Sequence, residues 1–216
     1  MRRSTTKWRT PSLVAALMLA IASAAAGQEG NLYGSGAPED AGFVRIVNAA
    51  SGAPPPETTV GNVGFGPLEF AAASPYRPVG PGIYTVRLGG GTAELIVSTG
   101  AYYTIALHRD GVVVFEDPEH TDPTEAQLFF YNLASGAPVR LATSDGTEVV
   151  ESVDSLESAV VTVNPVPVEL AAFGDDGRLA DVGDPGLERG ESFSVFAVSA
   201  DDEVRPFVVR AEVAAE

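Results

Sequence analysis

The chain of 216 residues lacks cysteine, and after its first ten residues it also lacks lysine and tryptophan. Without cysteine it forms no disulfide and no thiolate metal site, and it has no thiol nucleophile. The single lysine, Lys7, and the single tryptophan, Trp8, stand side by side near the start. Arginine is therefore the only strong base in the rest of the chain, and no indole is left there to stack on a sugar.

The chain also has little helical character, because glycine (23) and proline (16) interrupt it throughout. After Ala26 no segment keeps an apolar stripe at i, i+3 and i+4 for three turns. Short runs rich in Val, Ile, Phe, Tyr and Thr occur instead, separated by Gly, Pro, Asn and Asp. This pattern predicts an all-β protein.

The segment 1–26 has the layout of a cleaved secretory signal peptide. A basic head, MRRSTTKWRT, precedes the apolar run PSLVAALMLAIASAAA, which ends in small residues suited to cleavage. The strongly apolar part, Leu13 to Ile21, is short against the roughly 20 residues that a spanning helix needs. We therefore expect export with cleavage rather than a retained anchor.

Removal of this segment makes the chain strongly acidic. It takes away four of the 13 basic residues and none of the 29 acids, so nine arginines remain and the formal charge is −20. Such a surface repels nucleic acid, whose binding depends on phosphate neutralisation, and disfavours anionic lipid. We expect neither as a partner.

A repeated motif shows that the chain contains two related halves. NAASGAP at 48–54 matches NLASGAP at 132–138 at six of seven positions, and GAYYTIAL at 100–107 resembles GESFSVFA at 190–197. The tetrapeptides RLGG and AFGD lie between these pairs in the same order. The order and the similar offsets predict two tandem β-sandwich domains that arose by duplication.

A stretch rich in acid and proline, EDPEHTDPTEA, separates the two halves and predicts a short acidic linker without packing. The predicted division is signal peptide 1–26, extended arm 27–42, first sandwich 43–116, linker 117–126 and second sandwich 127–216.

Strand alternation predicts the two cores, and the repeated asparagines receive a structural role. The predicted core residues are Val44, Ile46, Leu95, Val97, Ile105 and Leu107 in the first half, and Phe130, Val161, Val163, Val168, Leu170, Phe193 and Val195 in the second. Asn48 and Asn132 each end a strand before a turn, so we expect their side chains to bond the turn backbone.

Side chains suited to catalysis are scarce. His108 falls on the polar face of a strand and is expected at the surface, and Asp117 and His120 have an Asp-x-x-His spacing but lie in the predicted linker. No G-x-S-x-G elbow, zinc spacing or phosphate-binding loop is present. The acidic run FGDDGRLADVGD favours a hairpin turn at Asp176-Gly177 over a calcium loop. We expect no catalytic residue, metal or cofactor.

Two spots are candidate partner contacts. Leu32 and Tyr33 form an apolar dipeptide in the arm, which would pack on its own domain or add to the sheet edge of a partner. Tyr76 and Arg77 stand together in SPYRPVGPG, a predicted loop.

Several blocks together resemble the AlgF family of alginate O-acetylation proteins. LYGSGAPEDAGFVRIVNA, AYYT, LFFYNL, VNPVPVELAAFGDDG and LERGESFSVFAV occur in that order from Leu32 to about Val198. The Leu-Tyr-Gly arm and the Asn-Pro-Val block near Asn164 are the most specific of them.

The resemblance implies a periplasmic, non-catalytic adaptor that assists acetyl transfer to mannuronate. Its implied partners are a membrane-bound O-acetyltransferase and a periplasmic SGNH-type acetyltransferase. The charge of −20 predicts weak or no direct binding of alginate, itself a polyanion. Two alternatives stay open: a secreted β-sandwich binding or structural module of unrelated function, and, much less favoured, an esterase using Asp117 and His120.

Overall fold

The computed structural model describes residues 40–52 and 56–214, and every regular element in these ranges is a β-strand. The all-β prediction is confirmed. The predicted signal peptide and nearly all of the arm, with Leu32 and Tyr33, lie outside the described residues. The structure contains, within those ranges, no helix long and apolar enough to cross a membrane.

The strands fall into two sets, one in each half of the chain. The first half contains β1 (Gly42–Asn48), β2 (Glu57–Val60), β3 (Val63–Pro67), β4 (Ala72–Ala73), β5 (Arg77–Val79), β6 (Gly82–Leu88), β7 (Gly91–Val97), β8 (Tyr102–His108) and β9 (Gly111–Asp117). The second half contains β10 (Ala126–Leu133), β11 (Val139–Thr143), β12 (Glu148–Val153), β13 (Glu157–Val163), β14 (Leu170–Gly174), β15 (Gly177–Gly183), β16 (Ser192–Ala200) and β17 (Glu203–Arg210).

Each half has one sheet of the same topology, which we call its inner sheet. In the first half, β1 pairs with β8 in parallel, β8 pairs with β9, and β4 and β5 pair with the other edge of β1. The order β13-β10-β16-β17 repeats this arrangement, with β10 parallel to β16. Val44 lies opposite Tyr103, and Leu128 lies opposite Phe193. The duplication predicted from sequence is thus present in the strand register.

The outer layers differ more between the halves. The first half has two separate hairpins, β2–β3 and β6–β7, whereas the second has one continuous sheet of order β12-β11-β14-β15. The predicted turn at Asp176-Gly177 joins β14 to β15, and a turn at Asp110-Gly111 joins β8 to β9. RLGG and AFGD fall at the turns of the equivalent hairpins β6–β7 and β14–β15.

The two predicted cores are present. All six residues expected in the first core are buried in one hydrophobic cluster. In the second core Phe130, Leu170, Phe193 and Val195 are buried, while Val161, Val163 and Val168 are only partly buried against it. The three exceptions lie on the edge strand β13 or just after it, where part of each side chain faces water.

A third cluster, which we call the seam, joins the two inner sheets. Its buried members are Val47, Ala49, Ala106 and Phe115 from the first half, and Phe129, Tyr131, Leu133, Phe196 and Val198 from the second. The seam buries the strand faces that alternation marks as polar, including Thr104, which is 0% exposed. The expectation that His108 lies at the surface is wrong, since its side chain is only 5% exposed.

The predicted linker is not an unpacked segment. Asp117 is the last residue of β9 and 4% exposed, and Ala126 is the first residue of β10 and 0% exposed. The described residues on both sides of this segment belong to one compact unit. The expectation of an unpacked linker is therefore wrong at both ends of the segment 117–126, where the residues pack in the strands. The predicted domain boundaries stay a prediction.

The repeated asparagines do what their position predicts. Asn48 and Asn132 are fully buried, and the Oδ1 of each accepts a bond of 3.1 Å from the backbone N–H two residues ahead. Their Nδ2 atoms donate to the carbonyl oxygens of Leu68 and Val153 at 2.9 Å. Each side chain fixes the backbone at the end of a central strand. It bonds backbone N–H and C=O groups that have no partner on a neighbouring strand there.

Candidate functional site

A buried arginine lies at the centre of the seam. Arg45, in β1, is 1% exposed. Its Nε donates to Thr104 Oγ1 at 2.8 Å, and its Nη2 donates to Tyr131 OH and to Ser194 Oγ at 2.9 Å each. A charge removed from water is costly unless it is hydrogen-bonded and balanced. Three hydroxyls, two of them from the other half, supply the bonds.

The balancing charge is Asp117, which contacts Arg45 only through hydroxyls. Its Oδ1 accepts a bond of 2.6 Å from Tyr131 OH, and its Oδ2 accepts bonds from Tyr76 OH at 2.7 Å and from Thr104 Oγ1. Thr104 and Tyr131 each accept from Arg45 and donate to Asp117. The two charges are thus linked by a fully oriented hydrogen-bond network, which charged ends strengthen.

Aromatic rings enclose the guanidinium. The Cζ of Arg45 lies 4.6 Å from the ring centre of Tyr76, 5.2 Å from that of Phe196 and 5.5 Å from that of Tyr131. A cation over an aromatic face is attracted by the electron-rich ring, more so when water is excluded. These contacts compensate part of the hydration that Arg45 loses.

The pKa values of Tyr76, Tyr131 and Arg45 are raised in this network. Burial, opposed by the charge on Arg45 and assisted by that on Asp117, raises the pKa of Tyr76 and of Tyr131. Burial alone would lower the pKa of Arg45, but Tyr131, Tyr76 and Asp117 outweigh it and raise the value. Both phenols therefore keep their protons, and the guanidinium keeps its charge.

A cavity of about 160 Å³, which we call the seam cavity, opens beside Asp117. Its lining residues are Tyr76, Tyr102, Asp117, Pro118, Glu119, His120, Gln127, Phe129, Ser192, Ala211 and Val213. Neither ring nitrogen of His120 is accessible to solvent, and neither has a hydrogen-bond partner among the described residues. An unpaired buried polar atom costs roughly 1–3 kcal/mol, so the ring of His120 gains stability if it turns to meet a partner.

The seam cavity brings together an aspartate, a histidine and a serine, but not as a catalytic chain. Asp117 is occupied by three hydroxyls, and Ser192 Oγ donates to Gln127 Oε1 at 3.0 Å. His120 bonds to neither of them. A nucleophile needs a base within hydrogen-bond reach and a third group that orients the base. The expectation that Asp117 and His120 lack packing is wrong, yet the bonding is that of a structural network.

The predicted contact residues Tyr76 and Arg77 differ in their exposure to solvent. Tyr76 is 3% exposed, forms a backbone bridge with Val213 and donates to Asp117. The seam and the segment around Val213 cover its side chain, and its role as a partner contact stays a prediction. Arg77 is exposed at the start of β5, and its role as a contact stays a prediction, as do those of Leu32 and Tyr33.

Sequence reasoning missed Arg45 and Tyr131, although one signal for Arg45 exists. In the repeat alignment Arg45 occupies the position of Phe129, so an arginine replaces an aromatic residue in an otherwise apolar strand. A charged residue at a position that is apolar in the other repeat indicates that another buried residue compensates the charge. The sequence near Arg45 does not show which residue that is.

A second cavity, of about 390 Å³, lies at the opposite ends of the seam strands. It is lined by Ala49, Ser51, His108, Arg109, Ser135, Ser199, Asp201 and Asp202. Burial lowers the pKa of His108, with Asp110 opposing the shift. No group of three or more His, Asp or Glu side chains is placed to hold a metal ion in the part of the chain that the structure describes.

Comparisons with known proteins give one consistent result. A family model described as "Alginate O-acetyl transferase AlgF" matches residues 15–194. "Alginate biosynthesis protein AlgF" of Pseudomonas putida is 33% identical over 205 residues, covering 94% of each chain, and that of Pseudomonas aeruginosa is 30% identical over 207 residues, again covering 94% of each. The solved C-terminal domain of AlgF from P. aeruginosa is 30% identical, with a TM-score of 0.37, and the match covers 40% of this chain and 98% of that one.

Proposed function

This chain belongs to the AlgF family, and from that premise we propose that it is a periplasmic, non-catalytic adaptor of alginate O-acetylation. It assists acetyl transfer to mannuronate by contacting the acetyltransferases. Its partners are a periplasmic SGNH-type acetyltransferase and a membrane-bound O-acetyltransferase. The signal-like segment 1–26 supports the periplasmic location, because it has the composition that directs export.

The proposal that the protein is not a catalyst rests on the hydrogen bonds made by the residues that line the seam cavity. Acyl transfer by serine needs an activated hydroxyl, a base beside it and donors for the developing oxyanion. Ser192 donates to an amide oxygen, and Asp117 accepts from Tyr76, Tyr131 and Thr104. These groups stabilise the junction of the two halves. Because their hydrogen bonds are used there, they are not arranged to activate a nucleophile for ester cleavage.

The charge supports protein partners over direct binding of the polymer. Alginate is a polyanion, and the mature chain carries −20 with nine arginines, of which Arg45 is buried. Long-range repulsion lowers the association rate and affinity of like-charged partners. Calorimetry with alginate at moderate salt and without calcium should show no binding in the micromolar range.

The adaptor role is tested by retention of partners. Immobilised residues 27–216 should retain the SGNH-type acetyltransferase or the membrane-bound acyltransferase from detergent extracts, and retention should weaken as salt rises, because screening reduces charge complementarity. A bead carrying an unrelated exported protein of similar charge is the matched control. If neither enzyme is retained above this control, the alternative of a secreted binding or structural module is favoured.

A separate assay tests the absence of catalysis. The purified chain should hydrolyse a chromogenic acetyl ester no faster than its His120→Ala variant. Turnover that disappears in His120→Ala would instead make the seam cavity an active site and would overturn the non-catalytic assignment.

A further inference from the structure

The seam cavity has few free hydrogen-bond donors. Tyr76 commits its proton to Asp117, and Ser192 commits its proton to Gln127. The Nε2 of Gln127 donates to the carbonyl oxygen of Pro118 at 3.3 Å. Because these two protons are committed inside the protein, the hydroxyls of Tyr76 and Ser192 can only accept from a ligand, and Gln127 keeps one further N–H. A group that brings donors of its own therefore suits these hydroxyls.

One free carboxylate and an orphaned imidazole also line the cavity. Glu119 forms no ion pair with any described residue, whereas the charge of Asp117 is balanced by Arg45 through the shared hydroxyls. A neutral imidazole has one acceptor nitrogen, and a rotation of the buried ring of His120 towards the cavity offers that nitrogen to a ligand. Leaving these atoms without a partner is unfavourable.

The walls suit a cation with an apolar stem. The rings of Tyr76 and Tyr102 meet edge to face at a centroid distance of 5.3 Å, and Phe129 also lines the cavity. Aromatic rings beside carboxylates attract lysine and arginine heads, while the methylene stem packs on apolar surface. The volume of about 160 Å³ lies below the roughly 300–1,000 Å³ typical of sites for drug-sized ligands, so a single side chain is a suitable occupant.

We propose that the seam cavity anchors a lysine or arginine side chain of the protein partner. This inference rests on the proposed adaptor function and names the chemistry of its contact. The formal charge of −20 on the mature chain supports it, because a complementary partner surface is basic. Glu119 contacts the basic head, the ring of His120 turns a nitrogen towards it, and Tyr102 and Phe129 contact its stem.

The binding chemistry is tested with n-butylguanidinium, a free mimic of the arginine head and stem, and with pentanamide as an uncharged molecule of similar length. The mature chain is labelled at histidine, and the ring signals are followed by NMR. Titration with n-butylguanidinium should shift the signals of His120 to saturation and leave those of His108, at the opposite end of the seam, in place. Pentanamide and acetate should leave both unchanged.

Two variants that each remove one negative charge distinguish a contact inside the cavity from the long-range electrostatic attraction of the whole protein. Glu119→Gln should weaken binding of n-butylguanidinium by roughly threefold, as loss of one partly exposed charge contact does. Glu116→Gln removes an exposed carboxylate of β9 that does not line the cavity, and the affinity should stay within about 1.5-fold. Equal effects of the two variants, or equal binding of pentanamide or acetate, would overturn the inference.

The same variants distinguish this inference from the proposed function. If the acetyltransferase is retained by the wild-type chain and Glu116→Gln but less by Glu119→Gln, the anchor is supported. Equal retention by all three overturns the anchor and leaves the adaptor function standing. If no partner is retained although His120 responds to n-butylguanidinium, the adaptor function fails, and the assignment of the occupant to that partner fails with it.

Discussion

The two inner sheets share one backbone plan but present different side chains to the seam. The repeat places Arg45 of the first sheet where the second has Phe129, and Val47 where the second has Tyr131. One copy therefore carries the buried cation, and the other carries the phenol that bonds it. The duplicated strands keep the same register, but each copy contributes different side chains to the hydrogen-bond network of the seam.

The same division holds on the neighbouring strands. Thr104 corresponds to Ser194, and both hydroxyls accept from Arg45. Asp117 corresponds to Ala211, since each lies beside the first residue of the middle strand. Without the second half, Arg45 would lose two of its three bonds and Asp117 one of its three. The asymmetry makes each half depend on the other.

The largest expected effect comes from removing the acidic member of the pair. Asp117→Ala leaves the charge of Arg45 buried without compensation, which typically costs about 3–5 kcal/mol. Urea denaturation followed by tyrosine fluorescence measures the loss of unfolding free energy. The double variant Arg45→Met, Asp117→Ala should lose less than Asp117→Ala alone, because the unpaired charge is gone. A loss below about 1 kcal/mol in Asp117→Ala would show that water solvates Arg45 in the seam.

A pair of phenylalanines compares the seam with a core inside one half. Phe196 lies in the seam and Phe130 in the second core, and both are 0% exposed. Each change to alanine should cost about 3–5 kcal/mol, because each removes a similar volume from a close-packed site. Denaturation should stay a single transition in both variants. A much smaller cost for Phe196→Ala, with two separate transitions, would show that the halves unfold independently.

The two equivalent asparagines should give smaller and similar effects. Asn48→Ala and Asn132→Ala each leave buried backbone groups unpaired, at a cost of roughly 1–3 kcal/mol. Asn132 has one more contact, a bond of 3.3 Å to the carbonyl oxygen of Ala137, so it should be the costlier of the two. Thermal denaturation of both variants measures the difference. A neutral result at either site would contradict its role in fixing the turn.

The smallest effect concerns pH. Burial lowers the pKa of His108 in the folded chain below its usual value near 6.5. The unfolded chain then binds the proton more readily, so this contribution is complete above about pH 6.5 and is lost as the pH falls. The position corresponds to Val198 in the other half. His108→Val should flatten the dependence of unfolding free energy on pH between about 5 and 7, whereas an unchanged slope would contradict the assignment.

Much of each half could be predicted from sequence. The alternation in strands such as YYTIALH identified residues of the first core, and Asp176-Gly177 identified a turn. The repeat identified the equivalent central strands. These signals are local, because the side-chain period and the turn conformations depend on a few neighbouring residues.

The site could not be predicted in the same way. Tyr76 was placed in a loop because prolines flank it, and Asp117 in a linker because an acidic stretch with two prolines follows it. Their burial follows from contacts with residues far along the chain, such as the bond between Arg45 and Ser194, which are 149 positions apart. A strand pattern shows which face is apolar, but it does not show that the other face is also covered.

The sequence by itself determined that the chain is β-structured, that it contains one module twice, and where the turns and the apolar faces lie. Only the tertiary structure decided that the polar faces meet, that Arg45 and Asp117 share a network of hydroxyls, and that a small cavity rich in acceptors opens beside them. The physical reason is range. Backbone preference and side-chain period act over a few residues, whereas the burial of a charge depends on which distant surfaces come together to exclude water.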